Sequence, residues 1–149
     1  MTEVLFYHLT ESKLDDALPM LVEKSMERGW RVAVEFADPE RRDEFDVHLW
    51  TYRDDSFLPH GTDDGEEPER QPVLLTVLKD NINAANIRFF VNGATPEVLE
   101  GYDRAILMFD GHDAAELDAA RGEWKRLKAE GHALTYWQQT PERRWVKKA

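Results

Sequence analysis

Six runs of six or seven residues, each with an apolar centre, recur along this chain with longer stretches between them: EVLFYHL (3–9), RVAVEF (31–36), PVLLTVL (72–78), IRFFVN (87–92), RAILMFD (104–110) and ALTYWQQ (133–139). Runs of that length, rich in Val, Ile and aromatic residues, read as strands. The intervals carry helical spacing. Leu14, Leu18, Leu21, Val22 and Ser25 share one helix face, and Gly29 is a natural stop. Pro19 leaves two options there: a helix starting near Asp15 and Asp16, or a kinked one. Residues 39–52 read as a second helix, with Asp38 as N-cap and Pro39 at its first position. TPEVLEGYD (95–103) reads as a short helix. Asp113 with Glu116 three residues on forms a capping box, opening a last helix that runs to Gly131 as its left-handed cap. Strands alternating with helices specify a single α/β domain over residues 1–149. Its central sheet is mostly parallel with helices on both faces, a Rossmann-like layering. Two segments fall outside the pattern: an acidic loop at 54–72, expected to be mobile, and a basic tail at 141–149.

Such layering invites a nucleotide site, but the first strand is followed by TESKLDD, and neither G-x-G-x-x-G nor G-x-x-x-x-G-K-[ST] occurs. Without those glycines a backbone cannot approach a pyrophosphate closely. The chain has no cysteine, its three serines lie outside G-x-S-x-G, and its five histidines form no H-E-x-x-H. The reading is therefore non-catalytic, with no cofactor and no metal. The alternative is a small metal-dependent hydrolase or phosphotransfer enzyme built on Asp110, His112 and Asp113. N-capping by Asp113 accounts for part of that cluster already. No apolar run is long enough to span a bilayer and the N-terminus lacks a secretory signal, so a soluble, cytoplasmic monomer is expected.

The charge is more telling. There are 30 Asp and Glu against 19 Lys and Arg, a net −11. Direct nucleic-acid binding rests on cations neutralising phosphates, so contact with DNA is expected only through a partner. Against that background Arg121, Lys125 and Lys128 stand in a row at i, i+4 and i+7, within about a 60° arc of the last helix. Trp124 borders both this row and the apolar face carried by Leu117, Ala120 and Leu127. Cations near a helix C-terminus also complement the macrodipole, so the row alone is compatible with a solvated face. Beside an aromatic, in so acidic a chain, it suits an acidic peptide with a hydrophobic end. A second surface gathers Trp50, Tyr52, Phe57 and Leu58 at a helix end, where large apolar groups favour an interface.

The stretches VLFYHL, HLWTY followed by DDSFLPHG, and RGEWKRLKAEGHALTYWQQ together resemble the chi subunit family of bacterial DNA polymerase III, in order and over nearly the whole chain. The resemblance implies an adaptor, not an enzyme. It would bind the acidic C-terminal tail of single-stranded-DNA-binding protein (SSB), which ends in Pro-Phe. It would link that protein to the clamp loader. By the same resemblance the tail-binding positions are Arg121, Trp124 and Lys125, with Lys128 and Gly131 further along; Leu117, on the apolar face beside Trp124, is expected to help receive the terminal Phe. Trp50 and Phe57, with Leu58, would face the psi subunit or another partner such as an accessory helicase. The family often carries tyrosine at the Trp124 position, and Lys128 stands where arginine can occur.

Overall fold

The computed structural model describes residues 2–52 and 58–149. Eight strands form one sheet: β1 (Glu3–Leu9), β2 (Val32–Glu35), β3 (Gly61–Thr62), β4 (Val73–Thr76), β5 (Ile87–Phe90), β6 (Arg104–Asp110), β7 (Ala133–Gln139) and β8 (Trp145–Lys147). Their order is β3-β4-β2-β5-β6-β1-β7-β8. Every pairing is parallel except β7 with β8. Three helices connect them: α1 (Leu14–Glu27), α2 (Pro39–Thr51) and α3 (Ala114–Ala129).

Alternation along the strands sorts the core into two layers. Leu5, Val32, Val34, Leu75, Phe89 and Ile106 face α1 and α2. Val4, Phe6, Ala105, Leu107 and Phe109 face Ala120 and Leu127 of α3. The sheet is thus mostly parallel with helices on both faces, as the sequence implies.

Local chemistry explains the helix ends. Asp38 accepts from Glu40 N at 2.8 Å, and Asp113 accepts from Ala115 N and Glu116 N at 3.0 and 3.1 Å. Glu116 reaches past the N-cap to Asp110 N, so the capping box is half formed. At the other end of α3, His132 N bonds Leu127 O and Gly131 N bonds Lys128 O, with Gly131 at φ 90°. That is a Schellman motif, and it turns the chain into β7. Pro19 lies inside α1, which starts at Leu14. Proline has no N–H for the carbonyl four residues back, that of Asp15. His48 Nε2 of α2 takes that carbonyl at 2.7 Å.

Three expectations are corrected. The segment 58–72 is largely tied down. Gly61–Thr62 adds a short strand beside β4, and Pro68–Arg70 forms a 3-10 turn. Buried Arg42 of α2 holds Asp63 and Asp64 at 2.8 and 3.0 Å. Residues 54–57 of the expected loop lie outside the described residues.

Residues 95–103 form no helix. Their carbonyls are taken by side chains from elsewhere: Thr95 O by Lys79, Pro96 O by Arg126, and Leu99 O and Tyr102 O by Thr2. A short helix is costly to nucleate, and those distant donors outcompete it. The basic tail is not a tail: Trp145–Lys147 returns antiparallel along β7.

On the α3 side of the sheet, Phe90 of β5 reaches α3, while Ala33 of β2 packs under Ala85 and Tyr102 of the covering loops. Under them lies a buried ion pair, Arg88 to Glu35 at 2.7 Å, each at most 2% exposed.

Candidate protein-docking site

α3 crosses the sheet beside β7, and a hollow of about 310 Å³ opens between them. Its walls are apolar: Phe109 from β6, Leu117, Ala120 and Trp124 from α3, Tyr136 from β7, and Ala149. Arg121 and Lys125 line the same hollow and stay exposed to solvent. Trp124 is held rather than loose. Its indole meets Phe6 edge-on at 5.2 Å between centroids, and Tyr136 at 5.8 Å and 80°.

Four of the six residues expected at this site therefore come together: Arg121, Trp124, Lys125 and Leu117. Lys128 is exposed one turn further on and does not line the hollow; Gly131 ends the helix. Arg121 reaches Asp118 only at 3.9 Å, with its side chain 70% exposed. No carboxylate of the described residues pairs with Lys125 or Lys128, whereas Arg126, off the row, is bound by Glu123 and Glu130.

Sequence reading missed Tyr136 and Phe109. Period-two alternation was the available signal, since Leu134 and Tyr136 must share the face turned to α3. The Tyr136 hydroxyl lies 2.7 Å from His8 Nδ1, and the imidazole stacks on Phe109 at 5.0 Å. Burial, then the charges of His112 and Arg121, push the His8 pKa below its ordinary 6.5, against an opposing pull from Asp110. The folded protein thus favours neutral His8, which shares a hydrogen bond with the Tyr136 hydroxyl through Nδ1. That contribution is complete above pH 6.5 and is lost as the pH falls toward the folded value, because the unfolded chain then binds more protons. Between pH 7.5 and 5.5 the parent should lose more melting temperature than His8→Gln, as read by thermal denaturation. Glu116, whose pKa burial raises, contributes in the opposite direction but equally in both proteins.

The second expected surface is only partly as read. Trp50 is 54% exposed and rests against His60 at 4.7 Å, with Val47 also exposed one turn before it. Leu58 is a correction: it is 4% exposed and packs in the α1–α2 layer, because the chain folds inward immediately before His60. Phe57 lies outside the described residues.

Asp110, His112 and Asp113 are engaged in the turn before α3. Asp110 accepts from His112 N, Asp113 caps the helix, and His112 Nε2 bonds Thr10 O at 2.8 Å. Among the described residues, no group of three or more His, Asp or Glu is placed to hold a metal ion. After β1, where a phosphate loop would lie, Thr10, Glu11 and Ser12 aim their N–H groups at one atom. All three donate to Gln139 Oε1, at 3.2, 3.1 and 3.0 Å. No helix of the described residues is long and apolar enough to cross a membrane.

Fold and site together define an α/β domain with a cation-rimmed apolar hollow on its last helix. The chain belongs to the DNA polymerase III chi subunit family, and so to the machinery of DNA replication: the family profile described as "DNA polymerase III chi subunit, HolC" matches residues 1–135. It is similar to the DNA polymerase III subunit chi of Pseudomonas aeruginosa, 26% identical over 90% of this chain and 94% of that one. It is also similar to the probable DNA polymerase III subunit chi of Rickettsia prowazekii, 25% identical over 74% of this chain and 71% of the relative.

Proposed function

We propose that this chi-family chain is a non-catalytic adaptor that captures the acidic C-terminal tail of SSB and links it to the clamp loader. The observation that carries the reading is the hollow between α3 and β7, apolar within and cationic at its rim. It fits a peptide with a hydrophobic end and carboxylates. The terminal Phe enters the hollow and rests on Trp124, Tyr136 and Leu117. Arg121 pairs with the terminal carboxylate, and Lys125 and Lys128 attract upstream aspartates. Charge assistance makes each such hydrogen bond stronger than a neutral one, though exposed pairs are screened by salt. A short, flexible tail must be ordered on binding, so each site should bind at about micromolar strength. Several tails on one SSB oligomer raise the effective affinity.

The exposed Trp50 and Val47 edge of α2 lies on the opposite sheet face from the hollow. We assign it to the second partner, the psi subunit or an accessory helicase. An adaptor needs two separate surfaces, and these two lie on opposite faces of the sheet. DNA contact is then indirect, through SSB, and the working compartment is the cytoplasm.

Anisotropy of a labelled SSB C-terminal peptide, titrated with the protein, tests the reading. Arg121→Ala, Lys125→Glu and removal of the last Phe should each weaken saturable binding by about 1–3 kcal/mol. Absence of binding by the intact pair at low salt would sink the reading. A rise in melting temperature with a divalent metal, absent any peptide effect, would instead favour the hydrolase built on Asp110, His112 and Asp113.

A further inference from the structure

The chain's charge is divided sharply along its length. Residues 121–149 hold eight of the 19 Lys and Arg but only three of the 30 Asp and Glu, a net +5 against −16 for residues 1–120. This cationic end is not a solvated appendage. After β7 the chain reverses through Thr140–Arg144, where Thr140 N bonds Arg144 O at 2.8 Å, and β8 pairs with β7. The pairing fixes which face each β8 side chain occupies. Trp137 stands opposite Lys147, and Gln138 opposite Val146. Lys148 N bonds Tyr136 O at 2.7 Å while Tyr136 N bonds Ala149 O at 3.2 Å, so Lys148 and Ala149 together stand opposite Tyr136, as in a β-bulge. Residues opposite each other in an antiparallel pair project to the same side. Val146 and Lys148 therefore share the face of Tyr136 and α3. Lys147 shares the opposite face with Trp137, which packs with the α1–α2 layer. Val146 is 40% exposed, and no carboxylate of the described residues pairs with Lys148.

We infer that the docking site is a two-sided cleft, with α3 supplying Arg121 and Lys125 on one side and β8 supplying Val146 and Lys148 on the other. An acidic peptide then runs between the two elements, its carboxylates facing Lys148 across from Lys125, instead of lying along α3 alone. The inference rests on the docking role proposed above and deepens it. It draws on residues beyond position 135, where the family match ends. The occupant is set by charge and shape: an extended, acidic segment with an apolar end, since the cleft is cationic at both rims and apolar at its floor.

The two lysines of β8 provide the test, being adjacent, exposed and on opposite faces. Binding of a short acidic peptide ending in Pro-Phe is measured by anisotropy at low salt for the parent, Lys148→Glu and Lys147→Glu. The titration is repeated with a peptide whose aspartates are replaced by asparagine. Lys148→Glu is expected to weaken the acidic peptide by roughly fivefold to thirtyfold, and the asparagine peptide by less than about twofold. Lys147→Glu should change either by less than about twofold. Parent-like binding by Lys148→Glu, or equal weakening by both variants, overturns the two-sided cleft and leaves the α3 site standing. If the parent binds neither peptide, the docking role falls and the cleft with it.

Discussion

Replacing Arg88 with methionine is expected to cost about 3–5 kcal/mol, because it strands a buried carboxylate. Arg88 donates to Glu35 Oε1 through Nε and Nη2 at 3.2 and 2.7 Å. Its remaining donors reach Leu78 O at 2.5 Å, Asp80 O at 3.4 Å and the Tyr102 hydroxyl at 3.2 Å. The guanidinium thus gathers the covering loop by its carbonyls. Lys79 holds the other oxygen of Glu35 at 2.5 Å, but it is 44% exposed and cannot replace a buried partner. Urea denaturation should show the loss, with a fall in Tm of roughly 10 °C for a domain of this size. Adding Glu35→Leu to Arg88→Met should recover a large part of it, since removing both charges is far cheaper than removing one. A single variant within 1 kcal/mol of the parent would contradict the role given to this pair.

Gly111→Ala is expected to have the second largest effect. A β-carbon there would stand 2.2 Å from His8 Nε2 and 2.9 Å from Leu9 O. The backbone oxygen cannot retreat, because it already accepts from Gly111 N at 2.8 Å. The imidazole is also fixed, stacked on Phe109 and bonded to Tyr136. Overpacking of this kind costs about 1–3 kcal/mol. The displaced ring takes Tyr136 with it, so weaker peptide binding should accompany the lower melting temperature. Gly131→Ala separates space from conformation: its β-carbon meets nothing within 4 Å, and only the left-handed backbone at φ 90° resists it. Its cost should be near 1 kcal/mol, with little change in binding.

Where local signals are strong, the sequence declares the fold. β1, β6 and β7 occupy the runs read as strands, residue for residue, and both aspartate caps act where their spacing places them. β3 and β8 are two and three residues long, too short for any periodicity to register. The course of 58–72 depends on Arg42, an arginine whose burial no local pattern announces. Residues 95–103 carry helical spacing, but donors as distant as Thr2 decide their conformation. At the candidate site, the α3 residues were legible from helical spacing and family resemblance. Tyr136 was legible only through alternation along β7, and the faces of the short edge strand β8 are settled by its pairing with β7. Leu58 was misassigned because a leucine among exposed aromatics looks the same in sequence whether it turns in or out.

The Gln139 staple has a mechanical consequence. A captured tail would pull on α3 and on β7, its neighbour in the cleft. β7 is laced to β1 along its length on one side and to β8 on the other. Just past its last residue paired with β1, Gln139 fastens it to the three amides that open the loop into α1. Tension along β7 therefore meets many hydrogen bonds in shear at once, with no single bond at the end to unzip. The amides that sister folds turn toward phosphate serve here as a cleat, mooring the strand that takes the strain.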